Sequence, residues 1–441
     1  MGENYYCVGD ILFELNEGQE NAKKQILGVI NRDMGDNDKF ITFFGAAGTG
    51  KTFTIQQIIN AIDPCLSIGM TAPTHKAVKV MRVMAYSAGI DGRVDIRTIH
   101  SALGLAMKQL EGAEVLYRDE YVDEKFYDVL FVDECSMLDD TLLSYIIESC
   151  STTIIFVGDK CQISPVDALP GEISSCFTEV SRTVGLSEVV RQKGGNPIID
   201  LATKLRLIQD DIYAEWPAIQ TNLLECGSGV DVMNKMTWFK SAVEIFKSKE
   251  FKTNPDYCRC IAYTNDMVDT INDRVRKSIH GFDVKEYLVD EILVAQSAGN
   301  MHKNAEEMRI MELEEIDDDM HNLPCWEMKL SSMDTNAIYT VKVLKSSAKA
   351  EYENKLSRYA ERAKLDVKNK RTHWKNFWDL KKTFNSFKHV YAMTAHKSQG
   401  STMEYIFVWT PDFLRFGATM EIKQLMYTAT TRASYRTTFA Y

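Results

Sequence analysis

Gly45-Ala46-Ala47-Gly48-Thr49-Gly50-Lys51-Thr52 follows the apolar run Phe40 to Phe44 and precedes an amphipathic stretch from Phe53 to Ile62. The spacing is G-x-x-x-x-G-K-T, set between a strand and a helix. Its glycines let the backbone wrap closely around a phosphate with the N–H groups pointing inward. Lys51 neutralises the outer phosphates and Thr52 offers a hydroxyl to Mg²⁺. The octapeptide therefore predicts an α/β fold that binds a nucleotide.

The surrounding chain keeps the same rhythm. Short β-branched or aromatic runs at Phe40 to Phe44, Leu66 to Met70, Val129 to Val132 and Ile154 to Val157 alternate with helix-length segments, the pattern of a parallel sheet covered on both faces. The stretch from Leu103 to Tyr127 interrupts it with alternating charged and apolar residues and reads as a β-hairpin insertion. A second α/β pattern begins near Leu186, includes Cys258 to Tyr263 and a helical stretch to Ile279, and resumes at Val390 to Ala392, Tyr405 to Thr410 and Gln424 to Tyr441. Residues 305 to 319 are acidic between these parts, whereas 342 to 388 hold 14 Lys or Arg against 5 Asp or Glu. That contrast predicts an inserted domain with a charged outer face, a solvated helical surface being the alternative for any single charge.

Composition narrows the class. The chain has 441 residues, 45% hydrophobic and 26% charged, which suits several globular domains and neither a disordered chain nor a membrane protein. No apolar stretch approaches the roughly 18 to 20 residues of a bilayer span. Residues Met1 to Asp10 carry no signal pattern, and a cytoplasmic location is expected. Ten scattered cysteines form no paired framework, and Cys258 and Cys260 read as packing residues. Fifty-one basic against 62 acidic side chains give a net charge of −11, which argues against nonspecific adhesion to nucleic acid but leaves room for a local basic track.

Further chemistry lies at the ends of the predicted strands. Val129 to Val132 run into Asp133 and Glu134. Alone the pair could cap a helix; beside the glycine-rich loop it predicts Asp133 in the Mg²⁺ shell and Glu134 polarising the attacking water of ATP hydrolysis. The next strand ends at Gly158-Asp159-Lys160-Cys161-Gln162, which places Gln162 near the γ-phosphate. Arg191 in Ser187 to Gln192 and Arg432 in Thr428 to Ala433 are candidate arginines offered from a second domain, able to stabilise the transferring phosphate only when the cleft closes.

In order and spacing the chain resembles superfamily-one helicases of the 5′-to-3′ class, the RecD-like group. The resemblance rests on segments 45 to 52, 71 to 78 (TAPTHKAV), 97 to 104 (RTIHSALG), 132 to 138 (VDECSML), 158 to 166 (GDKCQISPV), 187 to 192 (SEVVRQ), 262 to 269 (AYTNDMVD), 394 to 402 (TAHKSQGST) and 427 to 433 (YTATTRA). The compact length and Trp374-Lys375-Asn376-Phe377-Trp378 are most similar to a phage member of the group. Departures are small: Ala46 stands where proline is frequent, and Ile163 and Ser164 where leucine and proline are frequent.

The resemblance implies two RecA-like P-loop NTPase domains. The first would span 1 to 185, with a β-hairpin insertion at 104 to 127. The second would comprise 186 to 280 and 389 to 441, interrupted by an SH3-like, β-rich insertion at 281 to 388. It implies ATP and Mg²⁺ as cofactors. Gln19 would read adenine, Gly45 to Thr52 would cradle phosphate, and Gln399 would touch the nucleotide. Thr74, His75, Thr98, Asn265 and His396 would contact single-stranded DNA; without the resemblance His75 and His396 are loop or cap residues. Tyr117 is placed at the tip of the hairpin, where the group carries a pin that splits the duplex, or else is packed on its own domain. Trp374 and Trp378, four apart, read as core or domain-contact residues ahead of base stacking.

The implied activity is 5′-to-3′ translocation on single-stranded DNA with strand separation, in replication or recombination. Implied partners are single-stranded and forked DNA and replication proteins such as a single-strand-binding protein, with no membrane and a functional monomer. A DNA-dependent ATPase that strips or loads proteins without unwinding, and a nucleotide-gated switch of negligible turnover, are the other readings.

Overall fold

The computed structural model describes residues 14–32, 39–111, 113–119, 125–149, 153–165, 172–188, 195–209, 211, 213–297 and 302–441. Three sheets and a hairpin organise them. The first part opens with α1 (Glu17–Ile30), whose N-terminus is closed by a reciprocal capping box between Asn16 and Gln19. Then come β1 (Phe40–Gly45), α2 (Lys51–Ala61), β2 (Ile68–Ala72), α3 (His75–Ser87), β3 (Val94–Thr98), α4 (Ile99–Ala102), the hairpin β4 (Leu105–Leu110) and β5 (Ala113–Arg118), β6 (Val129–Val132), α5 (Asp140–Ser149), β7 (Thr153–Gly158) and β8 (Thr183–Leu186). The strands pair in parallel in the order β3-β2-β6-β7-β1-β8. β6 and β7 are buried at every position, which is why they read as unbroken apolar runs. The α/β fold expected from the glycine-rich loop is borne out.

A second sheet follows. Its elements are α6 (Pro197–Leu207), β9 (Asn222–Leu223), β10 (Gly229–Met233), α7 (Lys235–Phe246), α8 (Lys249–Thr253), β11 (Cys258–Ala262) and α9 (Asn265–His280). The chain then leaves for β12 (Ile292–Ala295), β13 (Glu307–Asp317), β14 (Pro324–Ser332), β15 (Ile338–Leu344), α10 (Lys349–Leu365), α11 (Lys370–Thr383) and β16 (Phe387–His389). It returns with β17 (Ala392–Thr394), β18 (Met403–Val408), α12 (Thr410–Leu414), α13 (Met420–Thr430) and β19 (Ala433–Ala440). The second sheet runs β17-β11-β18-β19-β10-β9, parallel except for the short edge strand β9.

The inserted part is a five-stranded antiparallel sheet, β15-β14-β13-β12-β16. β14 alternates buried and half-buried residues, so Trp326, Met328 and Leu330 face an inner layer with Ile310, Val341 and Val343. The basic segment 342 to 388 is mostly the helical pair α10 and α11, which the β-rich expectation omitted. Tyr352, Leu356 and Tyr359 of α10 pack toward Leu380 and Phe384. Trp378 is buried and Phe377 stands edge-on to both Trp374 and Trp378 at 5.4 and 5.2 Å, a packed aromatic face on α11. At the root of this part, fully buried Arg259 on β11 donates to Glu307 at 2.6 Å. Among the described residues no helix is long and apolar enough to cross a membrane.

The hairpin corrects the placement of Tyr117. The register pairs Leu105 with Arg118, Ala106 with Tyr117 and Leu110 with Ala113, so the tip lies around Glu111 and Tyr117 sits near the base. Leu105 and Leu116 pack on the core of the first part, whereas half-buried Tyr117 lies on the opposite face with the Lys108 ammonium 5.9 Å from its ring centre. It is neither at the tip nor packed inside its own domain. At the tip, the Glu111 carboxylate meets Lys370 of α11 at 2.6 Å.

Candidate nucleotide and DNA sites

Strand order assembles the first site. β6, β7 and β1 are neighbours, so the residues after their C-terminal ends, Asp133 and Glu134, Asp159 to Gln162, and Gly45 to Thr52, stand side by side. Gly48 and Gly50 have φ of 80° and 82°, a left-handed backbone that glycine adopts without strain, and Gly50 caps α2. The Lys51 ammonium donates to the carbonyls of Gly45 and Ala46 at 2.7 and 3.1 Å, and Thr49 Oγ1 donates to Ala46 O. Ala47 lies between them, and Thr52 is exposed on the first turn of α2. Gln19 is buried against the loop, with Nε2 donating to Thr49 O at 3.0 Å and Oε1 accepting from Asn16 N–H.

Desolvation and the charge of Glu134 push the Asp133 carboxyl up to about 7. Asp133 Oδ1 accepts from Glu134 N–H at 2.8 Å, and Glu134 holds a left-handed φ of 53° without being glycine, strain of the kind that persists at functional sites.

The second sheet reaches into this cluster. Gln399 Nε2 donates to Ser136 Oγ at 3.1 Å and to Gln162 Oε1 at 3.4 Å. The Tyr427 hydroxyl accepts from Ala47 N–H at 3.2 Å and donates to Asp159 at 2.5 Å, and Arg206 pairs with the same carboxylate at 3.1 Å. Sequence reading missed Asp159, Arg206 and Tyr427; the first and last lie inside quoted motifs, so proximity to Gln162 and Arg432 was the available signal. Arg432 is buried, and its guanidinium bonds Thr428 O, Ser401 O and Thr431 Oγ1 on its own side. Arg191 lies outside the described residues.

The residues expected to touch DNA gather at another place. Thr74 follows β2 and Thr98 ends β3, the edge pair of the first sheet, and they cap α3 and α4 by accepting from Ala77 and Ser101 N–H. Thr264 and Asn265 follow β11 and His396 follows β17, the edge pair of the second sheet. Asn265 Oδ1 accepts from Lys388 at 3.4 Å. Burial lowers the pKa of His75 and of His396, with Lys303 adding to the effect at His75, so both imidazoles favour the neutral form. A Cβ on Gly400 would stand 3.0 Å from Ala77 and 3.4 Å from Thr74, which brings the His396 turn against the start of α3.

Two RecA-like α/β domains sharing a phosphate-loop cleft, the second carrying an SH3-like insertion, are the organisation of superfamily-one helicases, and the chain is similar to that superfamily. Three family models match in order: an AAA domain over residues 14–215, the Dda helicase SH3 domain over 300–389 and a UvrD-like helicase C-terminal domain over 389–437. The ATP-dependent DNA helicase dda of Enterobacteria phage T4 is 28% identical over 96% of this chain and 98% of its own length. The ATP-dependent RecD2 DNA helicase of Deinococcus radiodurans is 28% identical over 46% of this chain and 25% of its own. Among solved structures, the Pif1 helicase from Candida albicans is similar over 98% of this chain and 95% of its own, at 17% identity and a TM-score of 0.45.

Proposed function

We infer that this chain is an ATP-dependent DNA helicase that translocates 5′ to 3′ on single-stranded DNA and separates duplex strands. The observation that carries the reading is the cleft in which the loop 45 to 52, Asp133, Glu134 and Gln162 of the first sheet meet Gln399 and Tyr427 of the second. A likeness to the phage T4 helicase over nearly both whole chains supports it.

Backbone N–H groups of the loop and Lys51 bind the phosphates, and Gln19 beside the loop reads adenine. The hard oxygen donors Thr52 and Asp133 suit Mg²⁺, which would supply charge neutralisation at the phosphates. Glu134 polarises water, Gln162 responds to the γ-phosphate, and Arg432 and Arg191 act from the second domain on closure. Thr74, His75, Thr98, Asn265 and His396 hold the DNA backbone, where small donors at strand ends grip phosphate without selecting a base. We assign 1 to 185 to the first domain, 186 to 280 with 389 to 441 to the second, and 281 to 388 to the insertion. Single-stranded and forked DNA are the substrates. One chain holds every part, which motivates a functional monomer that works in the cytoplasm, the host's if the chain is phage-encoded, beside single-strand-binding protein.

The test is unwinding of forked duplexes carrying a 5′ or a 3′ tail, with ATP turnover measured on single-stranded DNA. Unwinding only of the 5′-tailed fork is expected. DNA-stimulated turnover without strand separation would move the chain to the protein-stripping class, and absent turnover to a nucleotide-gated switch.

A further inference from the structure

Tyr427 is 1% exposed on α13, yet its hydroxyl bonds the first domain twice. Ala47 N–H can only donate, so the phenol oxygen accepts from it and the single phenol proton goes to Asp159 Oδ2. Asp159 is fully buried, and its other oxygen accepts from Cys161 N–H and from Arg206, both at 3.1 Å. The phosphate loop, the turn after β7 and helices α6 and α13 therefore meet at one carboxylate and one hydroxyl. Burial and the Asp159 charge raise the phenol far above its ordinary range, so it keeps its proton and acts as a fixed connector.

The connector joins two segments that the proposed chemistry needs. Gln162 closes the Asp159 turn, its N–H donating to Asp159 O at 3.0 Å. Arg432 stands five residues beyond Tyr427, just past the end of α13, with Nε bonded to Thr428 O. A shift of α13 against the Asp159 turn thus displaces Arg432 relative to Gln162 and to the loop.

We propose that the Tyr427 hydroxyl is a positioning group that latches the second domain onto the phosphate loop through Ala47 and Asp159, setting Gln162 and Arg432 for hydrolysis. The latch rests on the ATPase reading and adds to it a residue that touches no reacting atom.

Tyr427→Phe keeps the ring and removes only the hydroxyl. In the full chain, kcat for hydrolysis on single-stranded DNA is expected to fall roughly ten-fold or more, the scale of one lost bond to a charged group. KM for ATP should stay within about two-fold of wild type, because the loop and Lys51 are intact. Amide exchange across 46 to 50 should rise with the melting temperature little changed. Adding Asp159→Asn should cost no more than the worse single change, since both cut one chain of bonds. Unchanged kcat, additive losses, or a fall in every activity that tracks a lowered melting temperature without faster local exchange would each overturn the latch. If wild-type turnover ignores single-stranded DNA, the helicase reading fails, and the exchange comparison still decides the latch.

Discussion

Replacing Glu111 tests whether the hairpin works as a braced wedge. Its carboxylate meets Lys370 at 2.6 Å, and the two side chains are 67% and 41% exposed. Such a pair contributes about 0.2 to 1 kcal/mol, too little to register in a melting curve of a 441-residue chain. Its leverage lies in position. Lys370 begins α11 in the insertion, so the pair ties the free end of a first-domain hairpin to an element carried by the second. Losing up to about 1 kcal/mol lowers the docked population of the tip by at most roughly five-fold. Glu111→Gln is therefore expected to slow unwinding of a 5′-tailed fork two- to five-fold at low salt and leave turnover on single-stranded DNA at the wild-type rate. The deficit should shrink as salt rises, because screening shortens from about 10 Å at 0.1 M to 3 Å at 1 M and weakens the wild-type pair as well. Glu111→Lys with Lys370→Glu restores the attraction and should recover unwinding over Glu111→Lys alone. A double reversal no better than the single, or Glu111→Gln unwinding normally at low salt, would refute the brace.

Lys51→Ala should abolish hydrolysis by removing the fixed cation, whereas Glu134→Gln should keep ATP affinity and lose turnover; equal loss of affinity in both, measured by nucleotide titration, would end that division of labour. Tyr117→Ala should lower fork unwinding through a lost stacking face worth about 1 to 3 kcal/mol per base, with turnover and melting temperature near wild type. Parallel loss of all three would discard the contact with DNA. Glu291 supplies a pH test. Burial alone would raise its carboxyl, but hydrogen bonds and charge from His389 and Arg276 hold it at about 2, with His280 also within 3.6 Å. Its folded pKa is depressed, so its stabilisation is complete above the ordinary value of 4.5 and is lost as pH falls toward 2, a contribution on the order of 3 kcal/mol. Burial lowers the pKa of His389, so acid opposes the fold there too. The melting-temperature gap between wild type and Glu291→Gln should close between pH 4.5 and 2, and a gap constant with pH would remove Glu291 as its source.

What the sequence disclosed was local. The loop 45 to 52, the Asp133-Glu134 pair and Gln162 each follow an apolar run, and their chemistry is written within a few residues. Contacts between distant segments leave no such trace: Ala47 and Tyr427 are 380 residues apart, and Glu111 and Lys370 are 259 apart. Tyr117 was misplaced although the clue was present. Glu111-Gly112 is a two-residue turn signal, Glu111 takes a φ of 46°, and pairing Leu110 with Ala113 puts Tyr117 near the base. The α10 and α11 pair was obscured by reading segment 342 to 388 for charge. Tyr352, Leu356, Tyr359 and Ala363 recur at helical spacing and form the inner face of α10.

The turn after β17 explains how nucleotide and DNA can act on each other without a long relay. Within five residues, His396 stands at the expected DNA track, Gln399 bonds Ser136 and Gln162 at the phosphate side, and Gly400 lies against Thr74 and Ala77 at the start of α3. The turn is stiff: Ser398 Oγ donates to Ala395 O at 2.7 Å, Ser401 N–H donates to Ser398 O at 3.1 Å, and Gly400 has a left-handed φ of 71°. A displacement of Gln399 relative to Gln162 must therefore move Gly400 past Thr74. Close packing makes such a contact switch between arrangements rather than stretch. Both proposed sites press on one turn, which is the route by which a change at the phosphate would reach the DNA backbone within the same few residues.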